Sequence, residues 1–183
     1  LFAQDLDLNL VPILPNKYFS DGSYFDGYIL SGGKMSHEIS DHSNPLFQYC
    51  KTREQLERDL LKCSIKNHKP VLGVCRGFQI VNLFFGGSQS KIDNHAGVSH
   101  SLYPTEYAAD IKLPSVVNSY HNYAIRGVNL GNQLEPLAVD RNGNVELAKH
   151  ENLNVLGIMW HPERDELMAD GQHDFIKKFF HND

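Results

Sequence analysis

The stretch Val71–Gly87, VLGVCRGFQIVNLFFGG, constrains this chain more than any other. VLGV reads as a short, fully apolar strand, and RGFQIVNLFF reads as a helix that stops at Gly86 and Gly87. Cys75 falls at the junction, with Gly73 before it and Gly77 after it at the same distance. A free cysteine is commonly no more than a small buried residue, so the rest of the chain has to decide whether this one does more.

The surrounding pattern alternates strand and helix. FDGYILSGG, Phe25 to Gly33, predicts a buried strand running into a glycine turn, after which Lys34 to Cys50 is polar and irregular. From Thr52, TREQLERDLLKCSIKNH opens with a T-x-x-Q capping box and places Leu56, Leu60 and Cys63 on one helical face. Strand, helix, strand, helix in this order implies a parallel sheet with right-handed crossovers. VPILPN, ending at Asn16, predicts a further short strand upstream.

Past Ser88 the texture changes to short strands: Ser88 to Ile92, Gly97 to Leu102, Val116 to Asn118, Leu134 to Val139 and Val145 to His150, the last two joined by the turn DRNG. They are expected to form an antiparallel decoration. NVLGIMWHPER supplies another apolar strand, and DGQHDFIKKFF a closing helix with Phe175, Ile176, Phe179 and Phe180 inward. The expected fold class is therefore α/β: a doubly wound, mostly parallel sheet flanked by helices, in one domain over residues 1–183. The chain opens without methionine inside the amphipathic segment LFAQDLDLNL, so native residues are expected before Leu1, enough to supply a first strand.

Composition narrows the function classes. A formal net charge of -5 and the lack of a basic stripe argue against nucleic acid as a partner. No apolar run approaches the roughly 20 residues that a membrane helix needs. The three cysteines, Cys50, Cys63 and Cys75, are odd in number and form no CxxC pair, which suits reduced thiols in a cytoplasmic protein. Ten histidines invite a metal reading through His95, His100, His121 and His161, but they lack close ligand spacing and no cysteine pair accompanies them, so no metal and no cofactor are expected.

In an open parallel sheet, functional groups gather at the carboxyl ends of the strands. Three strands here end in capable residues: Gly32 and Gly33, Cys75, and His161 with Glu163. A cysteine on a strand-to-helix turn sits at a helix N-terminus, which favours thiolate, and flanking glycines let strand and helix close on the turn, as in a G-x-S-x-G elbow. The backbone N–H of Arg76, with a second donor from the Gly33 loop, would face a developing oxyanion. His161 can serve as general base and acid, with Glu163 two residues on fixing its tautomer. Gln79 lies one helical turn after Cys75, on the side that a substrate head group would occupy.

SGG at Ser31 to Gly33, PVLGVCRGFQIVNLFFGG at Pro70 to Gly87, VNSYHNYAI at Val117 to Ile125 and GIMWHPE at Gly157 to Glu163 together resemble class I glutamine amidotransferase-like enzymes. The spelling GVCRG with N-S-Y-H and W-H-P-E is similar to their stand-alone γ-glutamyl hydrolase branch. The resemblance implies a doubly wound α/β domain, no metal, and a triad of Cys75, His161 and Glu163. It further implies oxyanion donors at Gly33 and Arg76, and a γ-glutamyl pocket formed by Gln79, Ser119, Tyr120 and His121. Arg53 and Glu57 match a structural R-x-x-x-E pattern.

Two departures bear on the substrate: Lys34 and Met35 follow the glycine pair where the family usually has an acidic residue, and Tyr123 replaces a common glutamine. The expected reaction is Cys75-dependent hydrolysis of a γ-glutamyl amide through a thioester, on a small-molecule substrate, with a homodimer left open. Within the family, substrates range from γ-glutamyl-aminobutyrate and folate polyglutamates to γ-glutamyl-CDP-amidate of capsule phosphoramidate assembly. Lys34, suited to a phosphate, favours the last. The alternative is a glutaminase subunit feeding ammonia to a synthase partner.

Overall fold

The structure is a computed structural model that describes residues 4, 6–15, 24–108, 111–164 and 172–181. Its centre is a six-stranded sheet. The parallel part consists of β1 (Tyr28–Leu30), β2 (Val71–Val74) and β10 (Val155–Ile158), with β2 in the middle. β9 (Val145–His150), β8 (Leu134–Val139) and β5 (Tyr103–Pro104) continue the same sheet antiparallel beyond β10. Two ribbons stand outside it: β3 (Ser90–Lys91) with β7 (Tyr123–Ala124), and β4 (Ala96–Ser101) with β6 (Val116–Tyr120).

The α/β class expected from the sequence is the one observed. The antiparallel strands differ in placement: the hairpin β8–β9 is built into the main sheet, and only the ribbons decorate it. β2 and β10 are apolar and buried at every position because both faces are covered. Along them side chains alternate: Val71 and Val155 join the cluster that also holds Leu60 and Leu61, while Leu72 and Leu156 join Trp160 and Ile176. These clusters carry helices α1 (Pro45–Asn67) and α2 (Arg76–Phe84) on one side and α3 (Gln172–His181) on the other.

Three local expectations are corrected. Val11 to Pro15 form no strand, and Asn16 lies outside the described residues. α1 begins at Pro45, well before Thr52: Asn44 caps it by accepting the Leu46 N–H at 2.9 Å, and Pro45 suits the first helical position because it has no N–H to orphan. Within α1, Ser64 takes the buried position expected of Cys63; its hydroxyl donates to the Lys69 carbonyl at 2.5 Å, tying off the helix end. Among the described residues no helix is long and apolar enough to cross a membrane.

The register positions the chemistry. Leu30, Gly73 and Gly157 stand side by side across β1, β2 and β10. The residues that follow them, Gly32 and Gly33, Cys75, and His161, therefore emerge at one edge of the sheet.

Candidate active site

Cys75 occupies a sharp elbow between β2 and α2, at φ 51° and ψ −104°. A non-glycine residue in such a conformation stores on the order of 1–3 kcal/mol of strain and persists only where its surroundings hold it. They do: its N–H donates to the Ile158 carbonyl at 2.7 Å, and its carbonyl accepts the Gln79 N–H at 3.1 Å. A Cβ on Gly77 would lie 1.9 Å from the Leu30 carbonyl oxygen, and one on Gly73 2.7 Å from the Gly77 backbone. No other residue type fits either position, and the two glycines do what the sequence pattern predicts.

The thiolate expectation is corrected. Burial pushes the Cys75 thiol up to about 12; a hydrogen bond from the Arg76 backbone N–H pulls it back in part, and Glu163 and Glu146 push it further up. Desolvation outweighs the helix N-terminus, so the resting group is a thiol and needs a base to activate it.

The loop after β1 is pinned by charge. Arg53 donates to the Gly32 carbonyl at 3.1 Å and to the Ser31 carbonyl at 2.6 Å, while Arg76 Nε donates to the Lys34 carbonyl at 2.8 Å. Glu57, itself buried, holds both cations, with Arg76 Nη1 at 2.5 and 2.7 Å and Arg53 Nε at 2.9 Å. In a trans peptide the C=O and N–H point in opposite directions, so fixing the Gly32 carbonyl on Arg53 turns the Gly33 N–H away from it. Gly33 adopts φ 146°, a conformation that side chains rarely allow. Arg53 and Glu57 are structural, as their pattern suggests, and what they build is the loop that carries the expected oxyanion donor. The side chain of Arg76 belongs to the same network, a role that the sequence does not assign.

His161 is buried, and its Nδ1 meets Glu163 Oε1 at 2.6 Å. Burial pushes the Glu163 carboxyl up, but the His161 hydrogen bond and the residue's own backbone N–H overcome this and hold it below the usual carboxylate range. An ionised Glu163 keeps the proton on Nδ1 and leaves Nε2 free to accept one. His161 also packs over Gly32, where a Cβ would come within 2.6 Å of its Cε1.

Asn118 grips this histidine from the neighbouring ribbon. Its Nδ2 donates to the His161 carbonyl at 2.8 Å, and its Oδ1 accepts the His161 N–H at 2.8 Å. Tyr120 lies edge-on to the His161 ring at 5.7 Å and beneath the Arg164 guanidinium at 4.5 Å. Sequence reasoning misses Asn118 as a functional residue, although it is the first letter of the N-S-Y-H motif. An asparagine next to serine in a strand that must be buried is the available signal, since its amide has to find partners.

The alternation along β6 separates the other expected pocket residues. Ser119 is fully buried and its hydroxyl donates to the His95 carbonyl; His121 is buried with Nδ1 against the Tyr123 carbonyl at 2.9 Å. Their side chains are engaged on the face opposite Asn118 and Tyr120. Gln79 is buried on α2 one turn beyond Cys75, and Lys34 is exposed on the loop next to Gly33. That loop reaches the ribbons, where His37 packs edge-on against Tyr123 at 4.9 Å. A cavity of about 890 Å³ lies along β1, lined by Val11, Ile13, Leu30 and Phe180 among others, and it includes neither Cys75 nor His161. Arg53 and Glu57 also line it, so it borders the charged network and not the Cys75 elbow.

Residues 10–163 match the family model of peptidase C26. The chain belongs to the peptidase C26 family. It is a class I glutamine amidotransferase-like family, as the motifs suggest. The chain is 33% identical over 184 residues to the γ-glutamyl-CDP-amidate hydrolase of Campylobacter jejuni subsp. jejuni, covering 98% of this chain and 84% of that one. It is 26% identical to anthranilate synthase component 2 of Mycobacterium tuberculosis, over 83% of this chain and 60% of that protein. Among solved structures, a glutamine amidotransferase from Thermotoga maritima shares the fold with a TM-score of 0.59 at 17% identity, over 79% of this chain and 59% of that one. Family and relative together make this peptidase C26 member a hydrolase.

Proposed function

We propose that this chain hydrolyses a γ-glutamyl amide by way of a glutamyl thioester on Cys75. The observation that carries the reading is the strained elbow of Cys75, a conformation that packing maintains at the carboxyl edge of the sheet. Because burial keeps the group a thiol, His161 Nε2 takes the proton as Sγ attacks the γ-carbonyl carbon. The N–H groups of Gly33 and Arg76 stabilise the oxyanion, a contribution of roughly 3 kcal/mol for each donor. The imidazolium, steadied by Glu163, returns its proton to the leaving nitrogen, and the C–N bond breaks. Water deprotonated by His161 then attacks the thioester and releases glutamate with the thiol restored.

For the leaving group we favour a nucleotide amidate, γ-glutamyl-CDP-amidate. The Campylobacter relative bears that name, and Lys34 offers an exposed cation beside the Gly33 loop. Gln79 and Tyr120 are the side chains we assign to the glutamyl head group. Glutamate release from γ-glutamyl-CDP-amidate, γ-glutamyl-aminobutyrate and glutamine, measured side by side with wild type and Lys34→Ala, tests the assignment. A preference for the nucleotide conjugate that weakens in the variant supports it. Equal turnover of all three, or activity only with an added synthase partner, overturns it.

A further inference from the structure

On the face of β6 opposite His161, four side chains converge: His95, His100, His121 and Glu146. One donor atom from each lies within 4.8 Å of all the others. The Nε2 atoms of His95 and His121 are each 3.7 Å from Glu146 Oε1, and Nε2 of His100 is 3.7 Å from Oε2. These separations are too long for hydrogen bonds, and all three Nε2 atoms and both carboxylate oxygens are buried without a partner among the described residues. Leaving so many buried polar atoms unsatisfied is costly, and native structures rarely do it.

The tautomers say what would satisfy them. His121 Nδ1 faces the Tyr123 carbonyl at 2.9 Å and His100 Nδ1 faces the Ser101 carbonyl at 3.3 Å. A carbonyl can only accept, so each Nδ1 carries a proton, and in the neutral ring each Nε2 presents a lone pair to the centre. The Glu146 carboxylate adds more lone pairs. A bridging water has two protons to give and cannot serve this many acceptors, whereas a cation serves them all at once. Metal–ligand bonds of about 2.0–2.1 Å in a tetrahedron put donors roughly 3.4 Å apart, close to the 3.7 Å between each histidine and the carboxylate, and binding would draw the wider pairs, up to 4.8 Å, inward.

We propose that His95, His100, His121 and Glu146 form a binding site for a divalent transition-metal ion of the zinc class. Imidazole with one carboxylate suits zinc, with cobalt and nickel as competitors. Four protein donors in a buried setting make it a closed, structural site, since catalytic sites keep a position open. Its ligands come from two layers of the fold: His95, His100 and His121 belong to the ribbon β4–β6 and its flanks, and Glu146 to β9 of the main sheet. The ion would tie the ribbon that carries Asn118 to the sheet that carries His161.

The test is metal analysis of the purified full chain, as isolated and after treatment with chelator followed by zinc or cobalt. About one equivalent of zinc should be retained, removal should lower Tm by on the order of 10 °C, and cobalt should give the intense visible bands of tetrahedral coordination. Glu146→Gln and His121→Ala should each lower metal content several-fold. Should a variant fail to fold, the cobalt titration of wild type decides alone. A titration that shows no stoichiometric tetrahedral species, or folded variants that retain wild-type metal content, would overturn the site.

Discussion

On one face of β6, Asn118 uses both ends of its amide on the backbone of His161, and Tyr120 lies against that ring; on the other, Ser119 and His121 lead to groups that meet at 3.7 Å with no hydrogen bond. A single strand supplies both because its side chains alternate. The first face holds a reactive residue by direct hydrogen bonds that leave little unsatisfied, and the second is complete only with a cation at its centre. Position along N-S-Y-H therefore decides what a substitution does: Asn118 and Tyr120 should act on turnover, Ser119 and His121 on how the ribbon is held.

The sharpest separation of the two faces comes from Cys75→Ala. Turnover should fall by about 10⁴-fold or more, while bound metal and the far-UV circular dichroism spectrum stay as in wild type. Next in size is Glu57→Ala, which strands the buried Arg76 guanidinium: urea unfolding should show a loss of about 3–5 kcal/mol, with the loop at Gly33 released as well. Asn118→Ala leaves the buried His161 N–H without its partner and the His161 carbonyl with only the Arg164 N–H, and should lose about 1–3 kcal/mol. In steady-state kinetics it should lower kcat more than it moves KM. Ser119→Ala, its neighbour on the other face, should leave kcat nearly unchanged; equal losses from the two would break the comparison.

The smallest effect is one of pH. Cys75 is raised from 9.0 to about 12 in the folded chain, chiefly by burial. Above pH 9 the unfolded chain gives up this proton while the folded chain keeps it, so the contribution to stability is present below that pH and declines as pH rises. Wild type should lose about 1 kcal/mol more than Cys75→Ala between roughly pH 9 and pH 10, read by urea titration at each pH. An equal loss in both proteins would mean that folding does not raise the thiol.

How far the sequence speaks follows the same division. The elbow is legible because its chemistry lies within a few consecutive residues, Gly73 to Gly77, and His161 with Glu163 because they are two residues apart. Asn118 is written in the motif, yet its purpose needs the packing of β6 against the residue after Trp160. The state of the Cys75 thiol is misread from sequence, since a helix N-terminus is visible there and the depth of burial is not. The grouping of His95, His100, His121 and Glu146 is legible only in part: the three histidines, together with His161, invite a metal reading that their spacing argues against, and the carboxylate arrives from β9. The early start of α1 escapes for a local reason, an Asn-Pro cap inside a polar stretch that reads as loop.

Covalent labelling tests the central claim most directly. A glutamate analogue with a chloroketone in place of the γ-carboxylate should alkylate the protein at neutral pH, and peptide mass spectrometry should find the label on Cys75. Glu163→Gln should slow the reaction by weakening the base that activates the buried thiol. Label on the half-buried Cys63 with Cys75 untouched, or labelling of Cys75 that is indifferent to Glu163, would contradict the account.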